Sequence, residues 1–246
     1  MKPINEFKKL SRQAQLVIVL FGMGGLLWAG WTLLSGALPQ AGRLLPLLIL
    51  GAATARAKVK LTKTSTLSLL TAVVMLSLMM DGIIAAAVVG VAGVTVQAFL
   101  PSRKFVMHRF VFNAAMVVIA IQAASVPYYW VISQNLAAAL ISHVLGIAAA
   151  SLTYYLGNSI SVSMIVAATE CKSIFRVWHD HFMLAAPSFL SSGLLSVIMG
   201  EVLAKTILGA VIALPLLFVA YRLMRMAARY AANTNAIANK SRLPSL

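Results

Sequence analysis

KVKLTKTSTLSLLTAVVMLSLMMDGIIAAAVVGVAG, Lys58 to Gly93, changes character twice. From Lys58 to Leu69 polar and apolar residues alternate and β-branched Val and Thr recur, the period of a strand rather than a helix. Polar side chains then almost vanish, and the interruption at Asp81-Gly82 divides two apolar runs, Leu67 to Met80 and Gly82 to Leu100. Apolar runs joined by so short a turn predict antiparallel helices in hydrocarbon. Extended backbone is tolerated in such a protein only at the membrane surface or against a protein-lined cavity. The strand-like segment therefore reads either as a basic connector or as a loop over the open end of a pocket. In the second reading Lys60, Lys63, Thr64 and Ser65 are offered to an anionic or polar ligand.

The same apolar texture extends over most of the 246 residues: 61% are hydrophobic and 10% charged, and the mean hydropathy is +0.93. Those values describe an integral membrane protein, with no polar block large enough to fold separately. Further candidate spans are Leu16 to Gly36, Leu44 to Ala57, Phe110 to Ile132, Leu136 to Leu156, Ser159 to Thr169, Met183 to Gly200 and Ile207 to Tyr221. The first follows Lys2, Lys8, Lys9 and Arg12; its length marks a retained signal anchor, although Ser35-Gly36-Ala37 superficially resembles a cleavage site.

Charge placement sets the expected topology. Basic residues cluster in the N-tail, in Arg56 to Lys63, in Ser102 to Arg109 and in the C-tail, while the Asp81-Gly82 and Gln134-Asn135 turns have none. A net charge of +15 thus reflects cytoplasmic loops and anionic lipid rather than nucleic acid. Both termini are expected in the cytoplasm of a bacterial inner-membrane protein. Nine full spans would break that alternation, so Ser159 to Thr169 is read as a re-entrant dip. The expected fold is an all-α polytopic transmembrane helical bundle of about eight crossings, with one re-entrant segment and one interfacial helix. Its domains are a basic N-tail (1–15), the helical domain (16–226) and a short polar tail (227–246).

The interfacial helix is assigned to TECKSIFRVWHDHF, Thr169 to Phe182, which holds the single cysteine, two of the four histidines and two of the five carboxylates. Cys171, Ile174, Phe175, Trp178 and Phe182 make one helical stripe, opposite Lys172, Arg176, His179 and Asp180. Trp178 is expected at headgroup level, and Arg176 and Asp180 have ion-pair spacing. A polar cap on a ligand pocket is the alternative reading. A metal site is disfavoured, because His179 and His181 diverge by about 200° on a helix. One cysteine also excludes an internal disulfide and multi-cysteine metal sites.

Polar residues inside apolar runs face a bundle interior by default. Asn113, Gln122 and His143 read first as interhelical hydrogen-bonding groups; together with Asn158 they are also the candidates for a ligand pocket, with Lys60 and Lys63 as gate or anion contacts, while Asp81 and Glu201 are placed in water at span ends. Gly25 and Ala29, and Ala86 and Gly90, have the small-xxx-small spacing of closely packed membrane helices. Tyr128, Tyr129, Trp130, Tyr154 and Tyr155 read as interface aromatics. No GxSxG, Walker A, Rossmann glycine pattern or HExxH is present, so neither an enzyme nor a cofactor is expected.

The hairpin stretch, FNAAMVVIA at Phe112 to Ala120 and YYLGNSISVSMIVA before WHDHF together resemble the N-terminal membrane input regions of bacterial cyclic-di-nucleotide signalling proteins. Such regions precede HD-type phosphohydrolase, diguanylate cyclase or kinase domains, and Asn113 and Asn158 occupy their FN and GN positions. The resemblance implies a sensory module that binds a small or lipid-like ligand; lacking an output domain, it is expected to act through a protein partner. The hairpin pattern also resembles the substrate-binding subunits of energy-coupling-factor vitamin transporters, which depend on separate ATPases. A substrate-capture subunit is therefore the second expectation.

Overall fold

The computed structural model describes residues 7–36, 38–55, 58–60, 66–99, 105–134 and 138–205. Helix α1 spans Arg12–Ser35 and α2 spans Ala41–Ala55. The alternating pattern predicts strand-like backbone here, and strands β1 (Lys58–Lys60) and β2 (Thr66–Ser68) form, paired antiparallel with Val59 opposite Leu67. Beyond them lie α3 (Leu70–Phe99), α4 (Met107–Ser133), α5 (Ala139–Glu170), α6 (Ile174–His181), a 3-10 turn at Met183–Ala185 and α7 (Ala186–Lys205). By length and composition, five helical segments among the described residues could cross a membrane: Arg12–Ser35, Leu70–Phe99, Met107–Ser133, Ala139–Glu170 and Met183–Glu201, the second of them counted across a kink at Gly82.

Helix α3 is two arms rather than one rod. Gly82 has φ +80° and ψ −168°, a conformation open in practice only to glycine. Beyond it the chain folds back, so that Gly90 lies against Val74 and Gly93 against Leu70. In a straight helix Leu70 and Gly93 would be about 34 Å apart. The first arm is buried from Leu70 through Leu78 and forms the centre of the core with Met116, Val117, Ile121, Ile147 and Met199. A helix apolar all round belongs in such a position.

Small residues set the approach of the other helices. Gly25 of α1 leaves no room for a Cβ against Ala115, and Gly90 packs on Val117 and Ile121. The small-residue spacings therefore serve packing within this chain. Helix α1 is the outermost, with Leu26 and Leu27 about three-quarters exposed. This exposed apolar surface suits lipid rather than water.

The expected re-entrant segment does not form. Ser159 to Thr169 continues α5 without a break, giving a 32-residue helix. Gly157 costs a helix interior only about 1 kcal/mol, and it fits closely against Ala120. The helix ends instead at Cys171, which adopts φ +53° as a left-handed cap. Cys171 therefore lies outside the helical stripe expected for it.

Element ends collect at two opposite poles. At one, Ser11 donates to the Ala168 carbonyl at 2.7 Å and the Phe7 and His108 rings lie 5.8 Å apart, in the neighbourhood of Arg12, Arg109 and Lys172. At the other, Arg43 approaches Asp81 at 3.6 Å, Tyr128 meets His143, and Gly200 abuts Met79. Asp81 lies at a span end as expected, but its side chain is 5% exposed rather than in water. The span expected at Ile207 to Tyr221 and the tail 227–246 lie outside the described residues.

Candidate ligand cavity

Helices α4 and α5 each present a polar stripe near the basic pole. Arg109, Asn113 and Val117 recur every fourth residue on α4, and Tyr154, Asn158 and Val162 do so on α5, so each set shares one helix face. Between those faces and the ends of both α3 arms lies a cavity of about 500 Å³, within the roughly 300–1,000 Å³ of small-molecule sites. Thr71 and Gln97 come from the two arms, and Phe110, Phe182 and Phe189 supply aromatic wall. Among the described residues, no hydrogen bond joins the side chains of Arg109, Asn113, Asn158 or Gln97 to another protein group, and Arg109 has no carboxylate partner. Amide groups left open toward a cavity supply both donors and acceptors to a guest.

The segment around α6 completes one wall. The Trp178 indole N–H donates to Ser159 Oγ at 2.9 Å, and the Tyr155 hydroxyl donates to the Phe182 carbonyl at 3.1 Å. These bonds tie the segment to α5 and bring Phe182 to the cavity. Trp178 is thus turned toward the bundle, while Ile174 and Phe175 remain exposed. The expected Arg176–Asp180 pair is absent among the described residues: Asp180 lies 3.2 Å from His179, and Lys172 pairs with Glu170 at 2.7 Å. No group of three or more His, Cys, Asp or Glu among the described residues is placed to hold a metal.

The structure separates the residues that the sequence had grouped. Asn113 and Asn158 share the cavity, whereas Gln122 lines a second, mainly apolar pocket of about 370 Å³ between α1, the second arm of α3 and α4, 3.1 Å from the Thr32 hydroxyl. His143 meets the Tyr128 hydroxyl at 3.3 Å, at the opposite pole. Lys60 is on β1, in the hairpin that leads into cavity-lining Leu70, and Lys63 lies outside the described residues. Arg109, Gln97 and Thr71 also line the cavity, and Tyr154, expected as an interface aromatic, is instead 4% exposed and forms part of the same wall. The four-residue steps from Arg109 to Asn113 and from Tyr154 to Asn158 were the available signal.

Fold and cavity together describe a helical bundle compatible with a multi-pass membrane protein, with a polar-lined chamber at its basic pole. No family model, curated protein or solved structure matches the chain.

Proposed function

We propose that the protein is a multi-spanning membrane module of the sensory type, which holds a small or lipid-like ligand among its helices and passes the binding event to a separate protein partner. The observation that carries this reading is the cavity that joins Asn113 and Asn158 with Arg109 and Gln97 at the basic pole. Its lining of amides, hydroxyls and one guanidinium suits binding rather than bond-making. Under the positive-inside rule the basic pole is cytoplasmic. Eight crossings follow if α1, α2, both arms of α3, α4, α5, α7 and Ile207 to Tyr221 each traverse the bilayer, with both termini on the cytoplasmic side of a bacterial inner membrane. A capture subunit of an importer needs its chamber at the outer face; a chamber at the basic pole favours the sensory reading over that alternative.

Native mass spectrometry of the protein extracted gently from its own membranes tests this. The expected spectrum shows a bound small molecule and a signalling enzyme or kinase, with the small molecule missing from an Asn113→Ala/Asn158→Ala variant of unchanged abundance. Copurifying ATPases would replace the reading with substrate capture. A bare protein with no bound mass would remove the ligand-binding reading.

A further inference from the structure

We infer that the cavity selects a small amphipathic anion, with its carboxylate or phosphate head at Arg109 and an apolar body bearing an amide or hydroxyl group directed inward. This rests on the reading of the cavity as a ligand site. Arg109 is the only charged residue in the described wall, and it is exposed in the first turn of α4 at the basic pole. An arginine without a carboxylate partner presents a planar fork of donors suited to an oxyanion.

The remaining walls describe the body of the ligand. Asn113 stands one helical turn, about 6 Å, deeper than Arg109 along α4. Asn158 is deeper again, since its neighbour Gly157 packs against Ala120. Two amides at successive depths match a guest with a polar group below its head. Val94, Val162 and Phe189 line the cavity as well. They would leave a fully polar guest, such as a free inorganic anion, with apolar walls that it cannot use.

The test uses the full chain in phosphatidylcholine nanodiscs, following the thermal unfolding midpoint against N-octanoylglycine, its uncharged isostere N-octanoylglycinamide, and N-acetylglycine, which keeps the head without the chain. The expected result is saturable stabilisation by N-octanoylglycine, with both other probes at least about tenfold weaker, the scale of a lost charge-assisted contact. Arg109→Gln should weaken N-octanoylglycine by a similar factor and leave the neutral isostere unchanged. Arg109→Lys, which keeps the charge, should retain most of the binding and serves if the glutamine variant does not fold. Adding phosphatidylglycerol to the nanodisc separates the sources: displacement of the probe assigns the anion to the bilayer, and undisturbed binding assigns it to a soluble molecule. Equal binding of the neutral isostere overturns the anionic head but leaves the ligand site standing, and equal binding of N-acetylglycine overturns the apolar body. If no probe binds, the proposed class is wrong, while the mass spectrum of the membrane-extracted protein decides independently whether the cavity holds a ligand.

Discussion

Asp81 and Gly82 turn the α3 hairpin by different means. Asp81 is nearly enclosed, with Oδ1 3.6 Å from an Arg43 guanidinium that is itself 56% exposed, and Oδ2 has no hydrogen-bond partner. A covered carboxylate with one distant cation is held at a cost, and removing that cation leaves the charge uncompensated. Arg43→Ala should therefore lower the unfolding midpoint, and adding Asp81→Asn should restore most of the loss; a double-mutant cycle on purified protein measures the coupling. Gly82 acts through its backbone. Its φ of +80° would strain any side chain, and a Cβ there would lie 3.3 Å from the Tyr129 hydroxyl. Gly82→Ala should cost about 1–3 kcal/mol in denaturant unfolding, whereas an unaltered midpoint would mean that the turn relaxes. Asp-Gly was readable as a turn signal in the sequence. The enclosure of Asp81 was not, because Arg43 lies far along the chain and the surrounding helices cover it only after packing.

At the scale of elements, the folded-back α3 sets the bundle's centre. Val74 and Gly90 lie against each other across the two arms, but would be about 24 Å apart in a continuous helix. In a Cys171→Ser background, Val74→Cys/Gly90→Cys should form an intramolecular disulfide under mild oxidation; failure to cross-link would refute the hairpin. The packing of α1 is tested in the same spirit by Gly25→Leu. With Ala115 occupying the place of a Cβ, the larger side chain should displace α1 and cost several kcal/mol, roughly the upper range for overpacking, seen as a fall in folded yield and melting midpoint. Helix α5 shows where local reading misleads. Gly157-Asn158 resembles a break, yet contacts with α4 and α7 along both sides carry the helix through it. Helix propensity is a weak prior against such packing.

For the whole molecule, the two poles give a labelling prediction. Cys171 is exposed and lies just beyond Ala168, which Ser11 reaches at the basic pole. In intact cells a membrane-impermeant maleimide should leave it unmodified until the membrane is permeabilised, whereas Gln134→Cys in a Cys171→Ser background should react from outside. The opposite pattern would invert the proposed orientation. The sequence by itself determined the helical membrane-type architecture, the Asp81-Gly82 turn and the extended backbone after Lys58. These follow from apolar length, local turn chemistry and side-chain period, all of which are properties of contiguous residues. Only the tertiary structure decided that Asn113 and Asn158 line one cavity while Gln122 and His143 stand elsewhere, that Phe182 closes a wall, and that Arg109 belongs to the chamber. Hydropathy records how much of a helix is apolar but not the direction in which each polar group points, and a cavity exists only where faces from several helices converge.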